Sequence, residues 1–116
     1  MSRRIVLITG ASRGIGRALA LAFGRAGHVV AVNYRTRRAD AESVLADLKG
    51  MGGEADLFQA DISNPQQAND LVENVVRKWG RIDGLINNAG VSRDRTIRKM
   101  SLDEWREVID TNLSGP

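Results

Sequence analysis

The chain has 116 residues, a formal net charge of +3 and 42% hydrophobic residues, which is the size of one ordinary domain. It contains no cysteine, which excludes disulfide scaffolds, zinc–thiolate sites and iron–sulfur clusters and indicates a reducing compartment. No apolar run approaches the roughly 20 residues of a membrane span, and the N-terminus lacks a signal-peptide pattern. We therefore expect a cytoplasmic protein without a membrane partner.

The basic charge is spread along the chain instead of forming one stripe. Only Arg35, Arg37 and Arg38 cluster, and no aromatic side chain stands between them. Aromatic residues make up 4% of the chain, which leaves few platforms on which bases could stack. Because nucleic-acid-binding proteins usually show a basic stripe or a recognisable module, no nucleic-acid partner is expected.

The first half of the chain alternates between short apolar runs and amphipathic segments. Residues 4–8 predict a strand that ends at Thr9 and Gly10. Residues 15–26 predict a helix that Gly27 ends, with an expected apolar face made of Ile15, Leu19, Ala22, Phe23 and Ala26. Residues 29–32 predict the second strand. Residues 38–51 predict the second helix, whose apolar side carries Ala41, Val44, Leu45 and Leu48.

The second half continues the alternation. Residues 55–60 predict the third strand. The third helix opens with Ser63, Asn64 and Pro65 and ends at Gly80, and its apolar side carries Ala68, Leu71, Val72, Val75 and Trp79. Residues 84–87 predict the fourth strand. A capping-box pattern at Ser101 begins a fourth helix that runs through Ile109.

This β-α-β-α-β-α-β-α order predicts an α/β fold with a doubly wound parallel sheet. Strands that are apolar throughout are buried on both faces, as in a parallel sheet with helices on each side. Right-handed crossovers then give the strand order 3-2-1-4 for an incomplete sheet of the Rossmann type. We expect residues 1–116 to belong to a single dinucleotide-binding domain, with no second domain.

A glycine-rich turn joins the first strand to the first helix, and residues 9–16 read TGASRGIG. Gly10 allows a tight turn, Gly14 lets the backbone approach phosphates, and Gly16 lets the helix pack on the strand. The helix N-terminus supplies free N–H groups and a partial positive charge. A turn that merely needs glycines is the alternative, but this spacing in an alternating α/β chain favours a pyrophosphate site.

The TGASRGIG motif and a strand that ends in Asn87, Asn88, Ala89 and Gly90 resemble the short-chain dehydrogenase/reductase family. Asp61 and Ile62 are similar to that family's adenine-contacting pair, and Asn112 is similar to its catalytic helix asparagine. Within the family, the segments VNYR from residue 32 and GVSRD from residue 90 most resemble the 3-oxoacyl-(acyl-carrier-protein) reductases. The segment RKM from residue 98, with Trp105, is also similar to the acetoacetyl-CoA reductases.

The resemblance implies a cofactor site at the carboxyl ends of the strands, and no metal is expected because the acids are scattered and form no recognisable metal site. Its expected cofactor-binding residues are Gly10, Ser12, Arg13, Gly14, Ile15, Gly16, Asn33, Tyr34, Arg35, Asp61, Ile62, Asn88, Ala89 and Gly90. Two alternatives stay open at this point, because Asp61 also suits the start of a helix and Asn87 suits a purely structural tie between strands.

Three side chains favour NADP(H) over NAD. Asn33 stands about twenty residues past the glycine turn, where NAD-binding folds carry an acid on the ribose, and an amide does not repel a 2′-phosphate. Arg35 follows directly, and Arg13 lies in the turn; arginine can fork onto phosphate. Arg37 fits a solvated loop better.

The family's catalytic Ser and its Tyr-x-x-x-Lys pair are not found in these residues. The one tyrosine, Tyr34, is followed four residues later by Arg38, so Asn112 is the only catalytic residue expected here. One hypothesis is the N-terminal part of an NADP-dependent 3-oxoacyl thioester reductase, which works on acyl carrier protein or coenzyme A substrates as a homotetramer. The other is a complete 116-residue product, a nucleotide-binding remnant without catalysis.

Overall fold

The computed structural model describes residues 3–12 and 14–88. Strands and helices alternate through them in the order β1 (Ile5–Thr9), α1 (Gly14–Arg25), β2 (Val29–Tyr34), α2 (Arg38–Gly50), β3 (Ala55–Gln59), α3 (Pro65–Trp79) and β4 (Gly84–Asn87). The predicted alternation is thereby confirmed for these seven elements. The predicted fourth helix lies outside the described residues.

The four strands form one parallel sheet in the order β3-β2-β1-β4, which confirms the predicted order. Thr9 at the end of β1 pairs with Asn87 at the end of β4, and Asn33 near the end of β2 pairs with Phe58. Because the strands are parallel, their carboxyl ends share one edge of the sheet. β2 runs two residues further than predicted, to Tyr34, so Asn33 and Tyr34 belong to the sheet itself.

Each face of the sheet carries its own apolar core, because successive side chains of a strand point to opposite faces. One core joins alternate strand residues to α3, and it contains Ile5, Leu7, Val29, Ala31, Leu71, Val72, Val75 and Leu85. The other joins the remaining strand residues to α1 and α2, and it contains Val6, Ile8, Ala20, Val30, Val32, Val44, Leu48 and Ile86. Helices on both faces make this a doubly wound sheet of the Rossmann type.

The buried face of α1 differs from the predicted one. Ile15 is 72% exposed, and Ala22 and Ala26 are also exposed, whereas Leu19 and Phe23 are partly buried. The buried residues are small and lie four apart, at Gly16, Ala20 and Gly24. A Cβ at Gly24 would stand 2.4 Å from Leu48 Cδ2, so a side chain there would require Leu48 of α2 to move. A pattern based on large apolar residues misses a face made of small ones.

The helix ends follow the predicted signals. Asn64 caps α3 by accepting a hydrogen bond from the Gln67 N–H at 3.0 Å, and Pro65 follows at the first helical position. Gly80 ends α3 and Gly27 follows α1, with φ values of 90° and 89° that suit glycine. Among the described residues, no helix is both long and apolar enough to cross a membrane.

Candidate functional site

The carboxyl edge of the sheet brings together the residues that the sequence singled out. The glycine turn follows β1, Arg35 follows β2, Asp61 follows β3 by two positions, and Asn88 follows β4. In doubly wound sheets this edge is where ligands bind, since the helices that follow the strands begin there. Four predicted site residues, Arg13, Ala89, Gly90 and Asn112, lie outside the described residues.

The glycines of the turn have different surroundings. Gly10 and Gly14 both have a φ of 62°, a left-handed conformation that glycine adopts without strain. A Cβ added at Gly14 would meet no atom of the described chain within 4 Å, whereas one added at Gly16 would lie 2.3 Å from the Gly10 carbonyl oxygen. Gly14 therefore faces open space at the start of α1, and Gly16 allows α1 to pack against the turn.

The β4 side of the turn is held through Thr9. The Thr9 hydroxyl donates to Asn87 Oδ1 at 3.0 Å and accepts from the Asn88 N–H at 2.9 Å. Asn88 Nδ2 in turn donates to the Gly10 carbonyl oxygen at 3.3 Å. Through these bonds the buried Asn87 links β4 to β1, and Asn88 lies against the turn.

The β2 side of the turn is held by Asn33, which is 2% exposed. Its Oδ1 accepts from the Gly10 N–H at 3.2 Å, and its main-chain oxygen accepts from the Ala11 N–H at 2.9 Å. Its Nδ2 donates to the carbonyl oxygens of Phe58 and Ala60 at 3.1 and 3.3 Å. The Asn33 side chain thus lies beneath the turn, bonded to the backbone on both sides.

Tyr34 is also buried, and its hydroxyl accepts a hydrogen bond from Arg38 Nη1 at 3.3 Å. Arg38 is the first residue of α2, and its Nε lies 3.3 Å from Glu42 Oε2. Since the ring is enclosed and the hydroxyl has a cationic neighbour, the described structure gives Tyr34 a packing role at the end of β2.

Within the described residues, two side chains of the turn have an environment that does not suit their chemistry. Ser12 is only 8% exposed, yet its side chain forms no hydrogen bond within residues 3–12 and 14–88. Ile15 is a large apolar residue that is 72% exposed. Buried hydroxyls normally have a partner, and exposed apolar side chains beside a turn commonly mark a contact surface. A ligand lying on the turn would give the Ser12 hydroxyl a hydrogen-bond partner and would cover the Ile15 side chain.

Arg35 and Asp61 meet across the ends of β2 and β3, with Arg35 Nε 3.7 Å from Asp61 Oδ2. Asp61 Oδ1 accepts from the Ser63 hydroxyl at 2.6 Å and from the Ser63 N–H at 3.0 Å. These two bonds, followed by the Arg35 charge, hold the pKa of Asp61 below its usual value, so it is ionised at neutral pH. Ile62 next to it is partly buried against the α3 core.

The sequence did not indicate that a buried acid, Asp83, lies at the opposite edge of the sheet. Asp83 accepts from the Ile5 N–H at 2.9 Å and from Arg81 Nε at 2.8 Å, and Arg81 also donates to the Arg3 carbonyl oxygen at 3.1 Å. This cluster holds the starts of β1 and β4 together. The R-x-D spacing just before an apolar strand was the available signal, but nothing local indicates that the acid turns inward.

Comparison with known proteins connects this geometry to a family. The model of the short chain dehydrogenase family matches residues 4–116. A 3-oxoacyl-(acyl-carrier-protein) reductase from Synechocystis sp. is 43% identical over 115 residues, which are 99% of this chain and 47% of that protein. The chain therefore spans about half the length of the curated relatives it matches.

Solved structures of other proteins share the fold, with similar TM-scores and sequence identities. A Burkholderia cenocepacia protein described as a dehydrogenase, with bound NADP, superposes with a TM-score of 0.71 at 30% identity, over 74% of this chain and 34% of that one. An NADH-dependent reductase complexed with NAD gives a TM-score of 0.74 at 32% identity, over 97% of this chain and 51% of that one. Because similar folds accommodate either cofactor, the choice between them depends on individual side chains.

Proposed function

Because the chain belongs to the short-chain dehydrogenase family, we propose that it supplies the cofactor-binding part of an NADP-dependent oxidoreductase that reduces a carbonyl group to an alcohol. The observation that carries the proposal is the glycine turn at the start of α1, with Arg35 and Asp61 beside each other on the same edge of the sheet. The first supplies a place for phosphates, and the second a place for a phosphorylated adenosine.

The turn suits a pyrophosphate in three respects. The first N–H groups of α1 have no partner inside the helix and carry its partial positive charge. The space beyond Gly14 lets a phosphate approach the backbone closely. The buried Ser12 hydroxyl can donate to a phosphate oxygen, which would give it the partner it lacks within the described chain.

The adenosine end is where NADP and NAD differ. Two contacts position Arg35 near Asp61. Its guanidinium lies 3.7 Å from the Asp61 carboxylate, and the Arg35 main-chain oxygen accepts a hydrogen bond from Gln59 Nε2 at 2.9 Å. Its guanidinium is largely exposed and can turn to a 2′-phosphate. The ionised Asp61 can accept a hydrogen bond from the adenine amino group, as the family resemblance implies. Arg13 would add a second cation from the turn.

The substrate class rests on the relatives. The name of the Synechocystis protein supports a 3-oxoacyl thioester carried by acyl carrier protein, within fatty acid synthesis. Acetoacetyl-CoA is the alternative substrate, and it differs in the carrier and not in the reacting ketone. A homotetramer remains a proposal for the whole protein. For residues 1–116 taken alone, binding of the nucleotide without catalysis is the second candidate function, because this stretch contains no Tyr-x-x-x-Lys pair.

In the proposed reaction the bound cofactor supplies a hydride to the carbonyl carbon. The described residues bind and orient the cofactor: the turn holds the pyrophosphate, and Arg35 and Asp61 hold the adenosine. A proton must also reach the carbonyl oxygen, and Tyr34 cannot deliver it, because its hydroxyl is buried against Arg38 at the adenosine end. Asn112 is proposed to assist the proton transfer, in line with the family resemblance.

Replacing Arg35 with alanine is expected to weaken NADP binding by roughly 5- to 150-fold, which corresponds to about 1–3 kcal/mol for one charged hydrogen-bonding contact. NADH binding should stay nearly unchanged, since NADH has no 2′-phosphate. Titration calorimetry with both cofactors measures the two affinities. Arg37→Ala is the matched control, because it removes the same charge from a side chain that pairs with Asp40 at 3.7 Å. Equal losses for both cofactors in Arg35→Ala would refute the NADP assignment.

Replacing Gly14 with alanine is expected to weaken NADP and NADH binding together, by about tenfold or more. The added Cβ would project into the space where the pyrophosphate approaches the backbone. Alanine would also be strained at the φ of 62° that Gly14 adopts, which should lower the free energy of unfolding by about 1–2 kcal/mol. Calorimetric titration, done where thermal unfolding shows the variant folded, separates the two effects. Unchanged affinity for both cofactors would place the pyrophosphate elsewhere.

A further inference from the structure

We propose that Asn33 is a positioning residue, whose buried side-chain amide sets the distance between the glycine turn and the end of β3. The inference rests on the proposed function, since those two places are the phosphate end and the adenine end of the proposed site. It gives the amide a different purpose from the one expected at the sequence level, where Asn33 simply avoided repelling a 2′-phosphate.

The groups around Asn33 require both halves of an amide. Oδ1 meets a donor, the Gly10 N–H, at 3.2 Å. Nδ2 meets two nearer acceptors, the carbonyl oxygens of Phe58 and Ala60, at 3.1 and 3.3 Å, and a third, that of Tyr34, at 3.5 Å. Turning the amide over would place N–H against N–H and oxygen against two carbonyl oxygens, so the orientation is determined by its partners. A carboxylate could serve Gly10 but would repel both carbonyl groups.

The side chain reaches both ends of the proposed site. On one side it holds Gly10, whose carbonyl oxygen accepts from Asn88 and lies against the start of α1 at Gly16. On the other side it holds Ala60, the residue just before Asp61. A shift of Asn33 would therefore move the first N–H groups of α1 relative to Asp61.

Burial separates this role from recognition of the 2′-phosphate. Asn33 is 2% exposed, and all of its side-chain polar atoms are bonded to the chain's own backbone. Its replacement should change the affinity for NADP and NADH by the same factor, because both cofactors share the pyrophosphate and the adenine. Arg35, which is largely exposed, should discriminate between them.

Asn33→Asp in the full chain tests the proposal by pH. At neutral pH and above, we expect affinity for both cofactors to fall about tenfold or more, by equal factors, because a carboxylate faces two carbonyl oxygens. Burial and those carbonyls raise the pKa of the introduced acid, and the protonated acid can accept from Gly10 and donate to one carbonyl. Affinity relative to wild type should therefore recover as the pH is lowered. The wild-type chain, which has the same Arg35, Arg38 and Asp61, is the baseline at each pH.

A second readout needs no cofactor. Hydrogen-exchange protection of the Gly10 amide, whose N–H bonds to Asn33 Oδ1, should fall in Asn33→Ala. In Asn33→Asp this protection should recover at low pH. If Asn33→Asp does not fold at neutral pH, Asn33→Ala, compared where thermal unfolding shows it folded, should still weaken both cofactors equally and show no recovery at low pH.

The outcomes distinguish the inference from the proposed function. Loss of NADP affinity alone in the Asn33 variants, or unchanged affinity for both cofactors, would overturn the positioning role. Unchanged protection of Gly10 would overturn it as well, without any cofactor. A wild-type chain that folds but binds neither NADP nor NADH would instead refute the proposed function, and the protection of Gly10 would then decide the role of Asn33 by itself.

Discussion

Substitution of Gly16 by alanine is expected to lower the free energy of unfolding by about 3 kcal/mol, at the upper end of the usual cost of overpacking. The added Cβ would lie 2.3 Å from the Gly10 carbonyl oxygen and 2.7 Å from Asn88 Nδ2. The first of these atoms is backbone, and the turn it belongs to is bonded to Asn33 on one side and Asn88 on the other. The Asn88 side chain can turn away, but the Gly10 backbone cannot give way cheaply, so α1 must move relative to the turn. Urea unfolding should show a lower midpoint with little change in slope.

Gly50→Ala is the matched control for that measurement. Gly50 ends α2, and a Cβ there would meet no atom of the described chain within 4 Å. Alanine should therefore be neutral or stabilise the protein by up to about 1 kcal/mol, because it lowers the entropy of the unfolded chain. Equal midpoints for Gly16→Ala and Gly50→Ala would contradict the close packing of α1 on the turn.

Residues 1–116 expressed alone are expected to show no reductase turnover. Reduction needs a proton donor at the carbonyl oxygen, and the only tyrosine of this stretch is Tyr34, which is 4% exposed and hydrogen-bonded to Arg38. General acid catalysis typically contributes about 10²–10⁴-fold, so the loss of the proton donor should lower any remaining rate by about that factor. Oxidation of NADPH in the presence of acetoacetyl-CoA, followed by absorbance, measures it.

The same preparation provides its own control through binding. Residual NADP binding without turnover would agree with a cofactor site that lacks the proton donor, since the turn, Arg35, Asp61 and Asn88 are all present. Turnover above background by a folded monomer would contradict the prediction and require a proton donor among residues 1–116. The Arg35→Ala variant of residues 1–116 then shows whether any such turnover depends on the proposed NADP site.

Much of the fold follows from local signals in the sequence. The apolar runs of β1 and β2 are too short for helices and too apolar for loops, and their separation by helical segments requires parallel crossovers. Asn64, Pro65 and Gly80 set the ends of α3 through a side-chain cap, a fixed φ and a left-handed residue. Such effects act over a few residues, which explains why the ends of α3 were predicted correctly. The parallel strand order was predicted from the crossover rule instead.

The glycine-rich turn was also visible in the sequence, because its glycine spacing is a local requirement of the backbone. The pairing of Arg35 with Asp61 was not visible, although both residues had been singled out. Their contact depends on β3 lying next to β2, which places two segments that are distant in the chain 3.7 Å apart. The predicted strand order already placed the ends of β2 and β3 side by side, but only the tertiary structure gives the side-chain directions that bring these two charged groups together.

For the described residues, the sequence by itself determined the element types, the strand order and the location of the turn. These depend on periodicity, on the crossover rule for parallel strands and on the backbone preferences of glycine, proline and asparagine. The tertiary structure decided which atoms meet. It turned Ile15 outward and packed the small face of α1 inward, because close approach to the sheet and α2 favours small residues. It also enclosed Asn33 between Gly10 and the carbonyls of Phe58 and Ala60 at the end of β3. Hydrogen-bond partners and packing distances arise from several elements at once, so no local pattern in the chain encodes them.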